Sequence, residues 1–445
     1  MLCVYYNKSI NKNPNHFENH DRILVSIKYL KKKFEDKIEM YNNESILEYL
    51  QTYLNIDTKE SAAKLMLNQI YSEDYLEKIK LMCDELQGND IIEGDTYFSN
   101  VTYNEILDNS VILYNVCYQI NIGRIKYAYC LIRPPSHHSS LNHYNGFCIV
   151  NHTYLTAKYM HDKYNKRVLI LDYDVHHGDG TQALVNDHID DNIYFVSIHC
   201  YGNGFYPGTG NHDENNEKVL NVPMRRGWDD GVYMLYFNKI KEYIKENNID
   251  IIVVSNGLDA HKDDPFKVMN LTNEFYIWVA KYLKSLDIPL IYILEGGYNP
   301  KTIGYVSEDI IKVLSPSVCE DVKTEESEET EESEQSKQSE QSEQSKQSEE
   351  LTFDEKKRNY IDDMEKVIQL NALKVKKCLN EYSNNAIDTT IYYINKNFPE
   401  KSIKEFYHEF CELEKINENT LKIMKDKHTQ LLDKLMERID SFTEL

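Results

Sequence analysis

The stretch LDYDVHHGDG, residues 171–180, sets three aspartates and two histidines within eight positions, directly behind the apolar run RVLI. Carboxylate and imidazole together are a competent ligand set for a divalent transition metal. Asp174 and His176 lie two positions apart, so at the end of a strand their side chains point the same way. A third carboxylate, Asp259 in GLDAH, follows another apolar run. A structural zinc site takes four protein ligands, usually with thiolates. Two carboxylates and one histidine leave a position open and make a Lewis-acidic, catalytic site. Polar strand ends are common, so Asp174 and His176 gain weight only from what meets them.

Two further histidines, His137 and His138 in RPPSHH, are poor core filler, because a buried imidazole still needs partners. A base beside an activated water must be held in one tautomer, and a carboxylate does that best. With Asp174 given to the metal, Asp172 and Asp179 remain, two carboxylates for two imidazoles. Tyr298 in EGGYNP follows two glycines that let the backbone come close to a ligand. Its phenol could donate to an oxyanion. NGFC and GNGFYPGTG are glycine-flanked aromatics that could line a narrow slot for a slim substrate chain, although turn chemistry explains the glycines equally well.

The elements that must position these groups are legible from about residue 125. The runs KYAYCLI, RVLILDYD, NIYFVSIH, KVLNVP, DIIVVSNG and PLIYILEGG are apolar with little alternation, as buried strands are when helices cover both faces of a sheet. Amphipathic stretches such as GVYMLYFNKIKEYIKEN and TNEFYIWVAKYLKSL lie between them. Alternating strand and helix predicts a parallel-sheet α/β domain. Ligands bind such sheets beyond the carboxyl ends of the strands. RPPSHH, DYDVHHGDG, SNGLDAH and EGGYN each follow a strand directly, so four polar clusters are expected to converge on one edge.

The chain has 445 residues, 41 % hydrophobic and 28 % charged, as expected of a globular core with something added. A formal net charge of −23 argues against a binder of nucleic-acid phosphates and favours a cationic substrate or partner. Thirteen acidic residues and three lysines between 320 and 350 carry ten of those charges. Nine cysteines without a CxxC pair read as reduced thiols inside a cell. No apolar leader opens the chain and no run approaches the ~18 apolar residues of a membrane span. A soluble protein of the nucleus or cytoplasm, with no membrane attachment, is expected. Three regions are read: a catalytic domain over 1–318, an acidic disordered linker rich in Ser, Glu and Gln over 319–350, and a helical region over 351–445. In the last, Tyr360, Met364, Val367, Ile368, Val375 and Leu379 share a face, as do Leu421, Met424, Leu431, Leu435 and Ile439. These helices are expected to bind a protein partner or to self-associate.

With these motifs assembled, the sequence resembles the zinc-dependent histone deacetylases, on the side of their class II members and the acetylpolyamine amidohydrolases. RPPSHH, NGFC, DYDVHHGDGTQ, HCYGNGFYPGTG, GLDAHKDDP and EGGYN match that family's motif series in order and spacing, and HFENHDR is similar to its N-terminal segment. The likeness covers roughly residues 1 to 315. It implies a three-layer arginase/deacetylase-like fold around a mostly parallel sheet, and hydrolysis of N6-acetyl-lysine in proteins, histone tails or similar, with release of acetate. Carried over by position, Asp174, His176 and Asp259 would hold one Zn²⁺. His138 would be the general base, oriented by Asp179, and His137 an electrostatic neighbour oriented by Asp172. Tyr298 would stabilise the oxyanion. Gly146, Phe147, Tyr206 and Phe266 would meet the substrate, with Phe147 and Tyr206 as tunnel walls. A monovalent cation, usually K⁺, would lie near Asp172 to His176 and Ser197.

This sequence departs from the family at Tyr206, where the tunnel carries phenylalanine, and at Ser136, Leu258 and Asp263; none of these removes a catalytic group. Phe266 stands where the polyamine-preferring branch tends to carry an acidic residue, which favours acyl-lysine in proteins. Acetylpolyamine deacetylation is the second reading. Ureohydrolases of related fold need additional metal-binding aspartates that are missing here. A non-catalytic scaffold is the reading of another class, but every ligand and the tyrosine are retained.

Overall fold

The computed structural model describes residues 1–8, 16–86 and 91–316, with backbone alone at Asp36 and at 91–93. The expected linker, 319–350, and helical region, 351–445, lie outside the described residues. Ten strands form among the described residues: β1 Leu2–Tyr6, β2 Glu39–Asn42, β3 Ile91–Glu93, β4 Thr96–Phe98, β5 Tyr127–Leu131, β6 Val168–Asp172, β7 Ile193–Cys200, β8 Val219–Met224, β9 Ile251–Asn256 and β10 Leu290–Leu294. β3 and β4 make a small antiparallel pair. The other eight form one sheet in the order β2-β1-β5-β10-β9-β6-β7-β8, and every neighbouring pair runs parallel.

The six strands expected from the sequence are β5 to β10. β1 and β2 are additions, and their sequences explain why they escape notice. β1 is a single short run at the chain terminus, followed by polar residues. β2 reads EMYN and is only partly buried, because it closes the sheet edge and needs no apolar second face. At the opposite edge β8 accommodates Pro223, whose missing N–H is tolerated where no further strand follows.

Alternate side chains of each strand enter two separate cores. Val4, Tyr6, Leu169, Leu171, Ile252 and Val254 pack under the helices Asp21–Phe34, Asp230–Glu246, Asn273–Ser285 and Pro300–Leu314. Cys3, Tyr5, Val168, Ile170, Ile251 and Val253 pack on the other side, under Asn43–Leu54, Lys59–Leu67, Glu73–Glu85, Thr102–Asn121 and His152–Tyr164. Helix, sheet and helix make three layers, which is why the central strands carry no polar face.

Strand order decides the rest. β5, β10, β9 and β6 are consecutive neighbours, so RPPSHH, EGGYN, GLDAH and DYDVHHGDG leave the sheet side by side. Beneath them lies a buried ion network. Arg133, at the end of β5, pairs with Glu18 through two nitrogens and with Glu105 at 3.0 Å, while Arg22 reaches Glu18 at 3.1 Å. All four residues are at most 3 % exposed. A buried pair contributes little net stability, but removing one member strands its partners. Arg133→Met is therefore expected to lower the unfolding free energy by about 3–5 kcal/mol, measured by urea denaturation; a loss below about 1 kcal/mol would show that the carboxylates are not held by this guanidinium.

Candidate active site

β6 stops at Asp172, and the chain turns through residues 174–176 before the helix Asp179–Asp187 begins. Asp174 and His176 thus lie just beyond the strand rather than on it, and the turn is what makes them converge. The Asp172 carboxylate accepts the Asp174 N–H at 3.0 Å, and the Asp174 carboxylate accepts the His176 N–H at 2.9 Å. The Asp259 carboxylate, arriving beyond β9, accepts the Val175 N–H at 2.9 Å. His176 Nδ1 lies 3.2 Å from both the Asp174 and Asp259 carboxylates. One ligand atom from each of these three residues lies within 4.8 Å of the others.

The donor set fits a divalent cation. Burial works against the imidazolium of His176, yet the two carboxylates outweigh it and push its pKa up to about 9. A proton on Nδ1 is held where positive charge is demanded, and a metal ion would displace it. Space is reserved as well. A Cβ on Gly296 would lie 2.2 Å from Asp259 Oδ2 and 2.5 Å from Asp174 Oδ2, and one on Gly257 would meet Asp174 at 2.3 Å. Two other clusters among the described residues are less suited. His137, Cys148 and Glu295 also gather, but burial and the Glu295 charge hold the Cys148 thiol well above its usual pKa, so it stays protonated. Glu295 is already saturated by the Ser136 hydroxyl and N–H, the His137 N–H and the Thr153 hydroxyl. In the partly exposed group His161, Asp162 and Asp191, both aspartates are paired with Lys158.

Beside the triad, each of the adjacent histidines faces one aspartate. His137 Nδ1 is 3.0 Å from Asp172 Oδ2, and His138 Nδ1 is 2.6 Å from Asp179 Oδ1. Their environments split the pair. Burial disfavours charge on both. On His137, Asp174 and Asp172 overcome it and raise the pKa well above the usual value. On His138 the neighbouring His137 adds to burial, and the pKa falls to about 4 despite Asp179. The carboxylates thus favour the charged form of His137 and burial the neutral form of His138, the kind of division an acid–base pair needs. Asp179 opens its helix, where the N-terminal dipole favours its negative charge.

Tyr298 sits between Gly297, at φ +110°, and the helix Pro300–Leu314, whose first N–H groups are capped by Asn299. The Asp264 carboxylate accepts the Tyr298 N–H at 2.7 Å and the Phe266 N–H at 2.9 Å. Arg22 donates to the carbonyls of Gly297 and Glu295 and lies over the Tyr298 ring, 5.0 Å from its centroid. The ring meets Phe266 at 4.8 Å, Phe147 at 5.9 Å and Phe17 at 6.3 Å. Tyr206 stands edge-on to His138 at 5.0 Å and to His176 at 6.1 Å. Gly146, at φ +55°, could carry no side chain, since its Cβ would lie 2.4 Å from His138 Cδ2.

The structure therefore brings together every residue singled out for the site: Asp172, Asp174, His176, Asp179, Asp259, His137, His138, Tyr298, Gly146, Phe147, Tyr206 and Phe266. Nothing supports the expected monovalent cation; the Ser197 hydroxyl pairs with His199 Nδ1 at 2.8 Å. Sequence reasoning missed Phe205, which stacks on His176 at 5.1 Å and 6°. It also missed Glu295, Asp264, Arg22 and Glu18, which hold the ligating and reacting groups from behind. Glu295 and Asp264 were visible inside EGGYN and HKDDP; their roles need the strand order.

The fold is a three-layer α/β arrangement with a candidate metal-binding triad at the carboxyl edge of its sheet, and comparison with known proteins identifies its family. A model of the histone deacetylase domain matches residues 16–314. Histone deacetylase HDA1 of Candida albicans is 34 % identical over 280 residues, 59 % of this chain and 33 % of that protein. The acetylpolyamine amidohydrolase of Mycoplana ramosa is 31 % identical over 193 residues, 42 % of this chain and 56 % of that one. The crystal structure of the HDA15 HD domain superposes with a TM-score of 0.60 at 26 % identity, covering 70 % of this chain and 87 % of the domain. The chain belongs to the histone deacetylase family, whose members are generally zinc-dependent. It spans only a third of the length of the Candida relative. Among the described residues no helix is long and apolar enough to cross a membrane.

Because a methyl group on residue 296 must push the two carboxylates apart, Gly296→Ala is expected to weaken Zn²⁺ binding by about tenfold or more while the fold persists. Titration with a chromophoric zinc competitor, alongside circular dichroism, measures both; unchanged affinity would place the metal elsewhere.

Proposed function

We propose that the protein is a zinc-dependent deacylase that hydrolyses the amide of N6-acetyl-lysine in proteins, histone tails or similar lysine-rich segments, and releases acetate. The observation that carries this reading is the pairing of His138 with Asp179 and His137 with Asp172 beside the carboxylate–histidine–carboxylate triad. Asp174, His176 and Asp259 would hold the zinc, which when bound supplies Lewis acidity toward the carbonyl and toward water.

The chain's own groups perform the proton work. His138, neutral at pH 7, accepts the proton of the attacking water through the nitrogen that Asp179 does not occupy. His137, oriented by Asp172 through Nδ1, acts as an electrostatic neighbour to the developing oxyanion. Burial and the Asp259 charge hold the Tyr298 phenol protonated, so it donates to that oxyanion. The proton on His138 then passes to the departing amine. Phe147, Tyr206 and Phe266 form apolar walls suited to the methylenes of a lysine side chain.

Acetylpolyamine hydrolysis is the alternative, since a relative of that name is similar. It is disfavoured because Phe266, packed on Tyr298, offers no charge to a polyamine's ammonium groups. The anionic chain favours encounter with a basic segment. Histones are the substrate proposed, and no contact with nucleic acid is part of the reading.

Zinc-loaded protein is expected to release acetate from an acetyl-lysine peptide and to turn over acetylspermidine more slowly. Tyr298→Phe should lower kcat by about 10²–10³ with metal content intact, and Asp259→Ala should lose metal and activity together. A Tyr298→Phe enzyme within a few-fold of wild type would remove the oxyanion role, and faster acetylspermidine turnover would transfer the assignment to polyamines.

A further inference from the structure

Phe205 and Tyr206, the two aromatics that stand against His176 at 5.1 and 6.1 Å, are carried by a loop with little stiffness of its own. Gly202, Gly204, Gly208 and Gly210 all take positive φ, and glycine leaves the backbone its greatest freedom. One end of the loop is tied by the Tyr201 N–H to the Met224 carbonyl at 2.9 Å, and the Phe205 N–H closes a tight turn on the Gly202 carbonyl at 3.1 Å. The other end is held by side chains from distant parts of the chain.

Glu214 gathers them. One carboxylate oxygen accepts the Gly210 N–H at 2.8 Å and the Asn211 N–H at 3.1 Å, as ordinary capping of the short turn that follows. The second oxygen reaches 32 positions back and accepts Gln182 Nε2 at 2.7 Å. With its NH2 so used, Gln182 turns its carbonyl oxygen to Asn221 Nδ2 at 2.6 Å and to His177 Nε2 at 3.1 Å. A neutral imidazole that donates there accepts at Nδ1, and the Thr209 hydroxyl lies 2.8 Å from that nitrogen. The bonds thus leave the loop at Thr209 and return to it at Gly210. Gly210 is wedged as well, since a Cβ on it would fall 2.4 Å from His199 Nε2 and 2.6 Å from His177 Cγ. Capping the turn needs only the first oxygen. The second ties the loop to the helix Asp179–Asp187, whose opening residue holds His138. We propose that Glu214 is a positioning residue: through Gln182 and His177 it fixes the Phe205–Tyr206 wall against His176, and so sets how long an acyl group the slot accepts.

The selectivity rests on the acyl-lysine reading, whereas the anchoring is measured without turnover. Zinc-loaded wild type, Glu214→Ala and Thr209→Val are compared on acetyl-lysine and butyryl-lysine peptides, and amide hydrogen exchange is followed at Gly210 and Asn211. Thr209→Val removes one hydroxyl at constant shape, and it carries the test should Glu214→Ala fail to fold. The ratio of kcat/KM for acetyl over butyryl is expected to fall about fivefold or more in both variants, because a wall rejects a longer chain only as far as it resists displacement. In Glu214→Ala both amides should exchange about tenfold faster. The ratio cancels any loss of active protein, so an unchanged ratio, even with both rates lowered, shows a merely structural role and overturns the proposal. Unchanged exchange in Glu214→Ala overturns it too, since the carboxylate then does not hold the loop. Wild-type protein that hydrolyses neither peptide overturns the acyl-lysine reading and the selectivity with it.

Discussion

Buried negative charge at the carboxyl edge of the sheet is the constraint on which the rest of this structure depends. Asp172, Asp174, Asp259 and Glu295 are all fully buried, and Asp264, Glu18 and Glu105 are nearly so. Carboxylates taken out of water are costly unless paired and hydrogen-bonded. The chain answers with backbone N–H groups at the strand ends, with Arg22 and Arg133, and with the imidazoles of His137 and His176. The account is still incomplete at the triad, where Asp174 and Asp259 close on one imidazole nitrogen. Burial and the adjacent Asp174 raise the Asp259 pKa, while His137 and His176, against burial, hold Asp174 below the usual range. Two carboxylates so unequal, over one protonated imidazole, describe a pocket built around positive charge.

The acid–base division between His137 and His138 follows from the same constraint. The histidine nearer the excess negative charge is shifted toward its charged form, and its neighbour, facing a single partly exposed aspartate, toward its neutral form. One electrostatic gradient across adjacent residues thus sets the two imidazoles apart. Tyr298 enters this field from the far side on a turn fixed by Arg22 and Asp264, which places its phenol near Asp259 and Asp174 without making it an ion.

The site was more legible in the sequence than the fold around it. Asp172 to Asp179, His137, His138 and Tyr298 are readable because each lies within a few residues of an apolar strand, and parallel strands deliver their carboxyl ends to one edge. β5 to β10 were readable for the same reason. β1 and β2 were not, because a short terminal run and a half-exposed edge strand have weak local patterns. Arg22 and Glu18 illustrate the other limit. They sit more than a hundred positions from Arg133 and Glu295 in the chain, and only the docking of the helix Asp21–Phe34 against Pro300–Leu314 brings them beneath the site. Phe205 was passed over for Tyr206 because two adjacent aromatics on a loop do not announce which of them will stack on a ligand.

The central claim is that one cation is held by two carboxylates and a histidine with no sulfur. X-ray absorption at the zinc edge on the purified protein tests it most directly. The account predicts one zinc per chain in a nitrogen and oxygen shell at about 2.0–2.2 Å. A sulfur shell at about 2.3 Å would move the metal to the Cys148 cluster, and protein that takes up no zinc would contradict the account altogether.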